Sequence, residues 1–230
     1  GRTVQVDASK VAAGSFFTTD EAWLNTPVRQ FLAKAFALHP AVLDPFAGDG
    51  HLLELMQREF EVPTAGYDIQ GDRFRHNDSL LEIPNPQQAV IVTNPPYLAN
   101  HSARRKGVHS LAAPYFTEGR DNLYKVALDR CLEAADYVVA IIPETFLLSG
   151  YPTDRLVLAT VIEAELFDDT DAPALVACFG PVRGKSPEQV FLDETPVATV
   201  AQLSKLRLPA EEAKRNEKHE IHFNDPRGRI

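Results

Sequence analysis

Asn94-Pro95-Pro96-Tyr97 places an amide side chain, two rigid prolines and an aromatic ring in succession. The Asn94 side-chain oxygen and the Pro95 carbonyl can both accept hydrogen bonds from one planar amino group, and Tyr97 offers a face to a flat ring. Two acceptors on such a group favour a more tetrahedral nitrogen with a localised lone pair. That suits methylation of an sp² amino nitrogen, a reaction whose rate comes from positioning and electrostatic complementarity rather than from acid–base groups. No metal is required, and His101 and His109 read as loop or phosphate contacts rather than ligands.

The elements around the tetrapeptide must hold it in place. It follows an apolar run, Ala89-Val90-Ile91-Val92-Thr93, that reads as a buried parallel strand. Its residues therefore fall at a strand's carboxyl end, where open α/β sheets bind ligands. Upstream, Ala41-Val42-Leu43-Asp44-Pro45-Phe46-Ala47-Gly48-Asp49-Gly50 is an apolar strand running into a glycine turn, and His51 to Phe60 carries Leu52, Leu53, Leu55, Met56 and Phe60 at helical spacing. A Gly-x-Gly turn lets a ligand approach backbone that has no Cβ in the way. No third glycine completes the dinucleotide fingerprint, and by itself the segment also reads as an ordinary βα turn.

Taken in this order, the motifs resemble those of the amino-methyltransferases that use S-adenosylmethionine, and most closely the N6-adenine DNA methyltransferases. The resemblance covers roughly residues 14 to 195. Asp44 to Gly50 resembles the family's cofactor loop and Asn94 to Tyr97 its catalytic tetrapeptide. Ser15-Phe16-Phe17-Thr18-Thr19 resembles its amino-terminal cofactor element, although a Pro often stands where Thr19 is. The order is like that of the gamma subgroup, and the 43 residues between Gly50 and Asn94 leave no room for an inserted target-recognition domain.

The resemblance implies roles residue by residue. Phe16, Phe17, Thr18, Asp44, Phe46, Gly48, Gly50, Asp68, Ile69, Asp78 and Asn94 would bind the cofactor. Asp68 would bind its ribose hydroxyls, Asp78 would accept from its adenine amino group, and Asp44 would face its methionine end. Each strand-end Asp also reads as a helix cap or turn former. Asn94, Pro95, Pro96 and Tyr97 would form the catalytic site, with the target adenine flipped out of the duplex and stacked on Tyr97. Phe179 resembles the second stacking aromatic, though a core strand residue fits it as well, and Phe146 is the other candidate. Arg104, Arg105 and Lys106, directly after the tetrapeptide, read as a DNA-facing loop or as a solvated one.

The rest of the chain reads as α/β. Helices are expected over Asp20 to Leu38, Asn122 to Ala135 and Leu156 to Ala159. Strands are expected over Ala41 to Leu43, Thr64 to Asp68, near Asn77-Asp78, Ala89 to Thr93 and Tyr137 to Ile142. Leu175 to Phe179 and Gln189 to Leu192 read as an antiparallel edge hairpin around residues 180–187. The fold class is then a doubly wound, mostly parallel Rossmann-like sheet with that hairpin at its edge, the class I methyltransferase architecture that the resemblance implies.

Composition bounds the alternatives. With 230 residues and 44% hydrophobic content, a single catalytic domain over residues 1–200 is the expectation, followed by a charged tail over residues 201–230. No apolar run is long enough for a membrane span, and no signal peptide opens the chain. Cys131 and Cys178 have no metal-ligand or disulfide spacing. A reducing cytoplasm, bacterial or phage-encoded, is expected. The net charge of −9 opposes polyphosphate binding unless positive charge is concentrated locally, as it is at Arg104 to Lys106 and in the tail.

Double-stranded DNA is the expected partner, within a restriction–modification system. The start at Gly1 rather than Met reads as a trimmed sequence; separately, the tail stops abruptly at Ile230, so a recognition region missing from the chain or supplied by a partner subunit is expected. Two other readings stay open. One is methylation of a protein glutamine amide or an RNA base, of which the acidic charge favours the protein substrate. The other is a silent subunit that binds cofactor or DNA.

Overall fold

A computed structural model describes residues 21–84, 88–97, 115, 119–162, 174–181, 189–192 and 195–199. The element around Ser15 to Thr19, the Arg104 to Lys106 loop and the tail lie outside the described residues. The chain divides into two compact units, one built on Ala35–Ala140 and the other on Thr19–Lys34 with Ile141–Ile230. Helix α1 (Thr26–Leu38) runs from the second unit into the first. The expected start at Thr19-Asp20 is corrected by six residues, because Asn25 is the cap. Its side-chain oxygen accepts from the Val28 amide at 3.4 Å, and Pro27 sits in the first turn, where no amide is missed.

The first unit alternates strand and helix: β1 (Val42–Asp44), α2 (His51–Phe60), β2 (Thr64–Asp68), β3 (Arg75–His76), β4 (Val90–Thr93), α3 (Leu123–Ala134) and β5 (Val138–Pro143), whose last residues belong to the second unit. The strands lie in the order β3-β2-β1-β4-β5, and every pairing is parallel. Each side chain of β1 and β4 is buried, which is why these strands read as unbroken apolar runs. Helix α2 buries Leu52, Leu53, Leu55 and Met56, each contributing about 1.5–3 kcal/mol. It stops at Glu61, whose φ of 54° is left-handed. Asn122 caps α3 by accepting from the Tyr124 amide at 3.2 Å. The short third strand comes two residues earlier than expected.

The second unit contains β6 (Leu156–Ile162), β7 (Ala174–Phe179), β8 (Gln189–Leu192) and β9 (Thr195–Thr199), after a 3-10 turn over Glu144–Leu148. Two expectations are corrected. Leu156 to Ala159 is strand, not helix, since the β-branched residues of Leu-Val-Leu-Ala-Thr-Val-Ile outweigh its leucines. Nor do β7 and β8 pair with each other: β6 lies between them, antiparallel to β7 and parallel to β8, and the antiparallel hairpin is β8 with β9. Among the described residues no helix is long and apolar enough to cross a membrane.

Candidate active site

Three strand ends of the first unit carry the candidate residues. β1 is central, with β2 on one side and β4 on the other; Asp44 pairs with Gly66 of β2, and Leu43 pairs with Ile91 of β4. The loop after β1 is bound down amide by amide. Phe46 donates to Asp44 Oδ1 at 3.0 Å, Ala47 to the Tyr67 carbonyl at 2.9 Å, Gly48 to Asp68 Oδ2 at 2.7 Å, and Gly50 back to the Ala47 carbonyl at 2.8 Å. Gly48 and Gly50 have φ of 58° and 89°, which an L residue adopts only at a cost. At Gly50 a Cβ would also lie 2.8 Å from the Phe74 ring. Glycine is therefore required there by both backbone and space.

Asp44 is buried and accepts a second bond on the same oxygen, from the Thr93 hydroxyl at 2.6 Å. Loss of hydration raises its carboxyl to about 7, against the two hydrogen bonds that favour the charged form. Asp68 is half-buried and holds the Gln70 amide at 2.8 Å on Oδ1, opposite the Gly48 amide on Oδ2. Each oxygen has one amide and keeps acceptor capacity. Ile69, beside it, is half-buried.

Asp78 stands at the third position, accepting from the Tyr115 hydroxyl at 2.6 Å on Oδ2 and from the Leu80 amide at 3.3 Å on Oδ1. Phe46 and Tyr115 pack against Leu80, Leu123, Val126 and Ala127, forming an apolar wall next to a carboxylate. A flat, amino-bearing ring matches such a pairing of wall and acceptor.

Asn94 leaves β4 half-buried, followed by buried Pro95 and Pro96 and half-buried Tyr97. Burial pushes the Tyr97 phenol well above its ordinary range, so the ring stays neutral. No described residue holds a cis peptide, so both prolines take the trans form.

The structure thus brings together Asp44, Phe46, Gly48, Gly50, Asp68, Ile69, Asp78 and Asn94 to Tyr97 in one unit. Phe16, Phe17, Thr18, Arg104, Arg105 and Lys106 lie outside the described residues. Phe179, in the second unit, has no exposed surface; it stands in β7 with its ring edge-on to buried Phe146 at 6.2 Å between centroids. Both rings pack as core and present no stacking face. Cys131 and Cys178 are buried thiols. Among the described residues, no three His, Cys, Asp or Glu side chains cluster as a metal site would require.

Sequence reasoning missed Thr93, Tyr115 and the pair Arg73 and Phe74. Arg73 donates to the Asp49 carbonyl and to Glu54, while Phe74 covers Gly50 and Gly66. For Thr93 there was a signal: it is the hydroxyl in a strand that is otherwise Val-Ile-Val. For the other three no spacing pointed to the loop.

No protein-family model matches the sequence, and no curated protein matches it either. Solved structures match it in fold. The type I restriction-modification system methyltransferase subunit from Streptococcus thermophilus is similar with a TM-score of 0.54 at 16% identity, over 92% of this chain and 55% of that one. The type IIG restriction endonuclease BpuSI is similar with a TM-score of 0.52 at 14% identity, over 96% of this chain and 32% of that one. The chain thus spans about half and about a third of their lengths. The fold is the class I methyltransferase fold, an α/β architecture with a mostly parallel sheet and an antiparallel edge hairpin.

Proposed function

We propose that the chain is an S-adenosylmethionine-dependent methyltransferase that modifies the N6 amino group of an adenine flipped out of double-stranded DNA. The observation that carries this reading is the placement of Asn94-Pro95-Pro96-Tyr97 at the end of β4, directly beside the glycine loop that follows β1. Similarity in fold to a restriction-modification methyltransferase subunit supports a place in such a system, with target recognition supplied by a partner subunit or by a further region.

The residues present fit the cofactor. Asp68 has acceptor capacity left for two ribose hydroxyls, and its half-buried carboxylate is already oriented by two backbone amides. Asp78 with the Phe46 and Leu80 wall suits an adenine ring and its amino group, Tyr115 yielding or sharing that acceptor. Ile69 adds apolar contact, and Asp44 offers a carboxylate toward the methionine end. S-adenosylmethionine, when bound, supplies an activated methyl group.

On the other side of the site, the Asn94 side-chain oxygen and the Pro95 carbonyl accept from the target amino group, localising its lone pair and holding it in line. Tyr97 stacks on the base, an interaction of about 1–3 kcal/mol. The Phe16 to Thr18 element is assigned to cofactor contacts on the resemblance, and the Arg104 to Lys106 loop to phosphate contacts on its concentrated positive charge directly after the tetrapeptide.

The test is methyl transfer from labelled S-adenosylmethionine to duplex DNA, RNA and protein in parallel, followed by nucleoside mass spectrometry. N6-methyladenine in DNA, abolished by Asn94→Ala, is the expected result. Label only in RNA or in glutamine amides would replace the DNA reading. Cofactor binding without transfer to any of the three would point to a truncated catalytic domain or a silent subunit.

A further inference from the structure

The ladder between β1 and β4 pairs Val42 with Val90 and Leu43 with Ile91. One residue beyond Leu43, Asp44 pairs with Gly66 on the other side, and two residues beyond Ile91, Thr93 pairs with Ala140 of β5. What joins the two strand ends beyond the ladder is the bond from the Thr93 hydroxyl to Asp44 Oδ1, at 2.6 Å. Both side chains are buried, at 0% and 1% exposure, so water does not compete for either. The same oxygen holds the Phe46 amide. One atom therefore touches both the residue that precedes Asn94 and the backbone of the glycine loop.

A valine would fill the space of Thr93 and match the Val-Ile-Val that precedes it. A hydroxyl in a dry strand end is costly unless it is hydrogen-bonded, and it donates to Asp44. We propose that Thr93 is a positioning residue, whose hydroxyl on Asp44 sets the Asn94 motif against the glycine loop and keeps the Asp44 carboxylate ready for a cationic group of the cofactor. This inference rests on the methyltransferase reading above. Besides Thr93 and the Phe46 amide, the groups that bear on Asp44 are Asp68, which disfavours its charge, and Cys131, a buried thiol held neutral.

The experiment is calorimetric titration of the whole chain with S-adenosylhomocysteine from about pH 6 to about pH 9, for the native chain, Thr93→Val and Thr93→Ser. Removing a hydrogen bond to a charged group should weaken binding about tenfold at neutral pH and move the midpoint of its pH dependence upward in Thr93→Val. Thr93→Ser, which keeps the hydroxyl, should follow the native chain. Two results overturn the proposal: a valine variant with native affinity and midpoint, or a serine variant as impaired as valine, which would assign the effect to the methyl group's packing. If the valine variant does not fold, Thr93→Ala takes its place against Thr93→Ser with the same expectations. A native chain that binds no S-adenosylhomocysteine would instead overturn the reading of the site itself.

Discussion

Asp44 and Asp68 end neighbouring parallel strands and grip the same short loop, yet their surroundings differ. Asp44 holds the Phe46 amide from a buried position and depends on Thr93 for its second bond. Asp68 holds the Gly48 amide from a half-buried position and has a second amide, from Gln70, on its other oxygen. Burial costs Asp44 its hydration, which raises its carboxyl to about 7. Asp68 keeps solvent access and acceptor capacity. Two identical side chains thus divide the work. One is a dry strut whose charge is conditional, and the other is an open acceptor suited to hydroxyls.

The largest effect on cofactor binding is expected at Asp68. Asp68→Ala removes the proposed ribose acceptor and strands the Gly48 amide, so S-adenosylhomocysteine should bind about 100-fold more weakly in calorimetry. Affinity within a few-fold of native would remove Asp68 from the cofactor site and collapse the contrast.

Asp44 should show its effect in the pH dependence of stability. Its folded carboxyl, near 7, lies above its ordinary 3.8, so the folded chain binds a proton that the unfolded chain has released. Stability should therefore fall as pH rises from about 4 to about 7 and level off above, by an amount on the order of 4 kcal/mol from this group. Asp44→Asn keeps an acceptor for Thr93 and Phe46 without the charge. Urea denaturation at about pH 5 and about pH 8 should show the variant gaining relative to the native chain at the higher pH, while its cofactor affinity drops. An equal gain at both pH values would show that Asp44 is not the titrating strut.

The smallest change tests the loop that the two carboxylates share. Gly50→Ala forces a left-handed φ of 89° and a Cβ 2.8 Å from Phe74, for an expected loss of about 1–3 kcal/mol in urea denaturation. Adding Phe74→Ala should return only the steric part. Full recovery would mean that the backbone conformation costs nothing.

The parts of the fold legible in the sequence were those whose local pattern and tertiary environment agree. β2 and α2 read residue for residue, and β1, β4, β5 and α3 within a residue or two, since apolar runs and helical spacing coincide there with burial. The reading failed where a short window hides the longer element or where distant residues decide. Leu156 to Ala159 is the start of the strand Leu156–Ile162, whose β-branched residues favour that state and which lies between β7 and β8. That insertion also undid the predicted hairpin, because the chain order of β7 and β8 holds no information about a strand from earlier in the chain. Phe179 reads equally as a stacking ring or as a core strand residue, and its full burial with Phe146 edge-on to it fits the core reading.

The sequence by itself determined the alternation of strand and helix, the glycine turn, and the Asp and Asn positions at strand ends, because each is written in a few consecutive residues. Only the tertiary structure decided what those residues meet. That Thr93 reaches Asp44 across 49 positions, that Tyr115 reaches Asp78 across 37, and that Phe74 roofs Gly50 all depend on which strands lie side by side. The protonation of Asp44 belongs with them. An aspartate in a sequence is acidic by default, and only the loss of water around it in the folded chain moves its carboxyl to about 7.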